Sequence, residues 1–163
     1  MQLAIGDTVV YPGRGIGEIV DIQRLDLVEG FERYYVVEIR DKRLMVSVPM
    51  RKIEELGVRP AMSRAKLVSV LETLGSSPRP LPANYKQRQD QVREELETGR
   101  PLRIAAAMRD LTWRQQEAYL TKVDSDLLAQ ARDALTAEIA SITGTPLAAA
   151  RQQIEDALAA SMA

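Results

Sequence analysis

The 163-residue chain contains no cysteine and no histidine. Their absence removes thiol nucleophiles, imidazole acid–base groups, disulfides, and zinc or iron sites built on nitrogen or sulfur ligands. Most familiar catalytic constellations are therefore missing, and a binding protein without a cofactor is expected, not an enzyme. An excess of charge of one sign is also lacking: 22 basic residues stand against 23 acidic ones, a formal net charge of −1. Non-specific nucleic-acid binders usually carry a basic surplus, so any DNA contact here must be local or assisted by a partner. No basic flank with an apolar run opens the chain, and no apolar run approaches the roughly 20 residues that span a bilayer. The expectation is a cytoplasmic protein without membrane contact.

What is present changes character along the chain. From Gly6 to Pro49, β-branched and aromatic residues cluster in short runs separated by turn signals. Thr8-Val9-Val10-Tyr11 is broken by Pro12-Gly13-Arg14-Gly15, where proline fixes φ and glycine accepts positive φ. Ile16 to Leu27 reads as a long bent strand, and Phe31 to Arg40 as its antiparallel partner across Val28-Glu29-Gly30. Asp41-Lys42 turns the chain into Leu44 to Val48, where Leu44, Val46 and Val48 share one face. Short strands with short connections favour a small barrel, whose closure removes exposed edges.

After about Pro60 the pattern becomes helical. Ser63 is placed to cap a helix over Arg64 to Leu74, with Leu67, Val70, Leu71 and Leu74 on one face. Gly75-Ser76-Ser77-Pro78-Arg79-Pro80-Leu81-Pro82 cannot continue it and reads as an ordered or semi-rigid linker. Asn84 caps the next helix, to about Thr98, and Gly99 with Pro101 divides it from a stripe of Leu102, Ile104, Ala105, Met108, Leu111 and Ala118. Further helices span Asp124 to Ile142 and Pro146 to Ala160, with Thr145 placed to cap the last. The fold class is α+β in two domains, a small β-barrel followed by an all-α bundle. The boundaries are 1–60 for the β domain, 61–82 for the helix and proline-rich linker, and 83–163 for the helical domain.

The candidate chemistry is sparse. Glycines 13, 15 and 17 lack the spacing and the Gly-Lys-Ser/Thr of a phosphate loop, so they read as a turn or bulge. Glu54-Glu55, Glu94-Glu95 and the Asp124/Asp126 pair read as solvated faces or caps, because adjacent helical residues diverge. Tyr85 stands apart, at a helix start after the linker with Lys86 and Arg88 beside it. Its ring either stacks on or wedges between bases while the cations hold phosphate, or it packs the linker onto the bundle. Trp113, the only tryptophan, reads as a core or interdomain anchor.

GDTVVYPGRGIGEIVDI, YYVVEI, LMVSVP and ELGVR together resemble the polymerase-interacting domain of the CarD family of bacterial transcription regulators. LPANYKQRQ, ELETG, IAAAMRDL and LLAQARDALTAEIA resemble that family's C-terminal domain, so the likeness runs in order along nearly the whole chain. It implies a Tudor-like (SH3-like) barrel docked on the RNA polymerase β subunit, with a helical domain at promoter DNA. It also implies an aromatic wedge in the minor groove at the upstream edge of the bubble, at Tyr85, with Lys86, Arg88 and Arg93 contacting the DNA. Arg24, Arg33, Arg43 and Arg51 are the candidates for the polymerase interface, since Ser47 replaces an arginine often found there. The wedge is usually tryptophan followed by a basic run; here Gln87, Gln89 and Asp90 thin that run. The protein is expected to act as a monomer that stabilises the open complex. The competing reading is an adaptor whose helical domain recruits another protein without touching DNA. The same barrel occurs in transcription-repair coupling factors, but this chain has no Walker motif.

Overall fold

The computed structural model describes residues 2–162, with the side chain of Leu27 outside the description. The chain divides into two compact units, Met1–Ala61 and Met62–Ala163. The class is α+β, five strands and then five helices among the described residues.

In the first unit, β1 (Thr8–Tyr11), β2 (Gly15–Val28), β3 (Phe31–Ile39), β4 (Leu44–Pro49) and β5 (Arg59–Pro60) form one antiparallel sheet in the order β4-β3-β2-β1-β5. Gly13 and Gly15 take φ of 81° and 107° in the expected reversal after β1. The bend expected in β2 is a pair of register irregularities against β3, between Ile19 and Asp21 and between Arg24 and Val28. The closed barrel expected from the sequence is not what the pairing shows: the sheet is open, with β4 and β5 at its edges. Closure would require those edges to pair. β5 is two residues long and its Pro60 has no N–H to donate, while Pro49 ends β4.

One face of the sheet carries the core of this unit. Leu3, Val9, Ile19, Tyr35, Val37, Ile39, Val48, Ile53 and Val58 are buried together, and Leu44 and Val46 pack against them as the alternation in β4 requires. The Tyr35 hydroxyl accepts a hydrogen bond from the Leu3 amide at 3.1 Å, which satisfies both groups inside the core. Gly17 is fixed by close approach, because a Cβ there would lie 2.6 Å from Val37 Cγ1.

The second unit contains α1 (Arg64–Gly75), α2 (Tyr85–Glu97), α3 (Pro101–Glu117), α4 (Lys122–Thr143) and α5 (Leu147–Ser161). It begins at Met62, earlier than the start near Ala83 read from the linker composition, because α1 buries Leu67, Val70 and Leu74 in the core shared with α3, α4 and α5. The segment 76–82 is accordingly a strap within this unit: the Arg79 amide donates to Asp110 Oδ1 at 2.8 Å, and Arg109 reaches the Ser76 hydroxyl at 2.7 Å. Ser63 and Asn84 cap α1 and α2 as expected, accepting from the amides of Lys66 and Gln87. Gly144 closes α4 at φ 65°. Two details differ from the pattern. Ala118 is the exposed C-cap of α3 and not part of its buried stripe. Thr145 does not cap α5; its hydroxyl lies 2.8 Å from that of Thr143, and Pro146 takes the cap position.

Gly17→Ala is expected to destabilise the β unit by about 1–3 kcal/mol, the usual cost of forcing an extra methyl into a packed interior. The measurement is the urea midpoint of that unit; an unchanged midpoint would mean that β2 and β3 part locally without penalty.

Candidate nucleic-acid interface

α2 is the most polar of the five helices, and only Val92 and Leu96 tie it to the apolar core. Arg88, Val92 and Leu96 follow one another at intervals of four, so Arg88 occupies the inward stripe of the helix. There it is 2% exposed. Its guanidinium donates from Nε to Asp124 Oδ1 at 3.1 Å and from Nη2 to Oδ2 at 2.9 Å, a two-pronged pair with a fully buried carboxylate. Nη1 donates to the carbonyls of Ala83 at 2.9 Å and Pro82 at 3.2 Å. One side chain thereby joins the strap, α2 and the first turn of α4.

Asp124 is simultaneously the third residue of a capping box. Its amide donates to Thr121 Oγ1 at 3.1 Å, and its Oδ2 accepts from the Thr121 amide at 3.0 Å. Gln89 Nε2 donates to the same threonine hydroxyl at 2.9 Å. Burial pushes the Asp124 carboxyl up, but hydrogen bonds from Arg88 and Thr121 and the Arg88 charge outweigh it and hold the carboxyl below its ordinary value.

These contacts decide where the site residues named from the sequence stand. Tyr85, the first residue of α2, is 62% exposed, so its ring does not pack the linker onto the bundle. Lys86 and Arg93 are exposed, and Arg93 lies 3.8 Å from Asp90 one turn earlier. Arg88 is not brought together with them as a phosphate ligand. It is buried and paired, and withdrawing it would strand the Asp124 charge in the interior. The signal for this was in the sequence: the four-residue spacing of Arg88, Val92 and Leu96, and a Thr-x-x-Asp cap at Thr121-Lys122-Val123-Asp124. Trp113 is half-buried on α3 and belongs to neither core cluster.

On the β unit, three of the four arginines gather at one end of the sheet. Arg24 and Arg33 are opposite each other in the β2–β3 register, and Arg24 Nη2 donates to Glu32 at 2.8 Å. Arg51 Nη1 donates to the Gly30 carbonyl at 2.8 Å, with its guanidinium 5.9 Å from the Phe31 ring centroid. Arg43 is at the other end, in the left-handed region at φ 50° after the 3-10 turn Arg40–Lys42. Beside these, β4 leaves an unpaired edge with Met45 and Ser47 exposed on it. Among the described residues no cluster of carboxylates is arranged to hold a metal ion, and no helix is long and apolar enough to cross a membrane.

The two units coincide with two family descriptions. Residues 3–62 match the CarD-like/TRCF RID domain, and residues 69–155 match the CarD C-terminal domain. Among curated proteins, the chain is 30% identical over 142 residues to "Putative transcription factor YdeB" of Bacillus subtilis (strain 168). That alignment covers 86% of this chain and 92% of the relative. The chain belongs to the CarD family of transcription regulators.

Asp124→Asn is expected to cost the helical unit about 3–5 kcal/mol, because the Arg88 charge loses its buried partner. The depressed carboxyl adds a pH dependence with a defined sign. Its stabilisation is fully present above the unfolded value near 3.9 and is lost as pH falls through the lower folded value. Denaturant midpoints of the wild-type chain should therefore fall faster below about pH 4 than those of the Asn variant; parallel curves would refute the assignment.

Proposed function

We propose that this chain docks on the RNA polymerase β subunit through its β unit and stabilises the open promoter complex through Tyr85. The helical unit contacts the minor groove at the upstream edge of the bubble, and the chain carries out no chemistry of its own. The observation that carries this reading is the state of Tyr85: an exposed ring on the first turn of a helix whose base is fixed by the Arg88–Asp124 pair. A wedge loses little entropy on contact when its support is already rigid. The first-turn amides of α2 face the same end and favour a phosphate there.

Docking is supported by the RID match and by the geometry of the β unit, in which an open antiparallel sheet presents a strand edge and a cluster of arginines. An unpaired edge accepts a further strand by main-chain hydrogen bonds, and exposed cations beside it select an acidic partner surface. Arg24 and Arg33 are the proposed polymerase contacts, with Arg51 beside them. The near-neutral charge of the whole chain fits this arrangement. A helical unit tethered to polymerase meets DNA at high effective concentration and needs little affinity alone. Binding the open complex more tightly than the closed one shifts the equilibrium by that difference and no more.

The adaptor reading gains one specific observation, since burial of Arg88 leaves only Lys86 and Arg93 of the proposed DNA cations at the surface. The two readings separate at Tyr85. Tyr85→Ala should shorten the lifetime of open complexes by about fivefold or more, the low end of what an aromatic contributes at a nucleic acid. Lifetimes are read after a heparin challenge, and wild-type lifetimes with polymerase binding intact would favour the adaptor. A double charge reversal, Arg24→Glu with Arg33→Glu, should abolish co-purification of the full chain with polymerase while leaving its thermal unfolding within a few degrees of wild type. Retained co-purification would place the dock elsewhere.

A further inference from the structure

Tyr85 and Tyr119 are the exposed aromatic side chains among the described residues, at 62% and 86%. They belong to different helices' ends, yet the fold brings those ends together. Tyr119 lies in the connection between α3 and α4, two residues before Thr121, and Thr121 accepts from Gln89, which is one turn along α2 from Tyr85.

The connection is held at both sides of Tyr119. The Ala118 amide donates to the Arg114 carbonyl at 2.7 Å, Leu120 is buried in the helical core, and the Thr121 amide donates to Asp124 Oδ2. A tyrosine left almost fully in solvent on a fixed four-residue connection gains nothing for the fold. Its neighbour Lys122 is exposed, and its Nζ lies 3.3 Å from Asp126 in a solvent-facing pair that water screens. The one carboxylate within the two helix starts, Asp124, is buried and neutralised by Arg88. Exposed Asp90 and Asp126 stand farther along α2 and α4, opposite Arg93 and Lys122, while exposed Glu117 ends α3 two residues before Tyr119.

We infer that Tyr119, with Lys122, is a second DNA contact of the helical unit, touching the promoter duplex next to the place where Tyr85 enters. The inference rests on the DNA reading of Tyr85. Its partner is duplex DNA because an exposed ring accompanies an exposed lysine at both places, Tyr85 with Lys86 at the start of α2 and Tyr119 with Lys122 in and just after the connection into α4, a repeated pairing of aromatic and cationic surface that suits bases and phosphates. The Arg88–Asp124 pair and the Gln89–Thr121 bond set the spacing of the two contacts.

The test places the photo-crosslinking residue benzoylphenylalanine at position 119, and separately at 85, in the full chain bound to polymerase and a promoter fragment. DNA adducts are expected from both positions, at different nucleotides. A DNA adduct from 85 with none from 119 overturns the second contact and leaves the first standing. No DNA adduct from either position overturns the DNA reading itself, and the second contact with it. Open-complex lifetime gives an independent readout: Tyr119→Ala should shorten it by about fivefold or more, while Tyr119→Phe, which keeps the ring, should match wild type. Equal lifetimes for Tyr119→Ala and wild type, where Tyr85→Ala shortens them, would also defeat the inference.

Discussion

The buried pair between Arg88 and Asp124 is the interaction on which the placement of α2 depends. α2 has few apolar contacts, so hydrophobic burial alone holds it weakly. The guanidinium compensates by spending its donors on two separate pieces of chain, the carboxylate of Asp124 on α4 and the adjacent carbonyls of Pro82 and Ala83 where the strap meets α2. Such a pair gives little net stability over an apolar substitute, but breaking it on one side is costly. Its value here is positional: it fixes the direction in which α2 starts, and with it Tyr85.

In the proposed function, the same pair also bears on how a chain without net positive charge would meet DNA. A surface arginine at position 88 would add to the local field, whereas the buried one cancels a carboxylate that would otherwise repel phosphate. The remaining surface cations near Tyr85 are few, so the DNA contact we propose rests on shape, the helix end and the proposed tether to polymerase. The β unit contributes an open strand edge and clustered arginines. In the function we propose, the two units together act through differential binding to two states of one complex.

Much of the fold was legible in the sequence because local signals agreed. Turn glycines, the alternation of Leu44, Val46 and Val48, and the caps at Ser63 and Asn84 each specify their own neighbourhood. The open sheet was not legible, since closure depends on whether two distant edges can meet, and the obstacle is a two-residue strand ending in proline. The linker misled for a related reason. Its prolines and glycine mark irregular backbone, but irregular backbone becomes a strap once Asp110 and Arg88 hold it. Within the candidate site, Tyr85 stood out by position, and the structure leaves its ring exposed. Arg88 was misread because a charge beside an aromatic looks like a phosphate ligand, and its partner lies 36 residues away in sequence.

A structure of the full chain on a polymerase open promoter complex tests the account most directly. It should show the β unit on the β subunit, the Tyr85 ring in the minor groove at the upstream edge of the bubble, and Arg88 still buried against Asp124. Arg88 released from Asp124 to hold a phosphate, or Tyr85 facing solvent away from DNA, would contradict it.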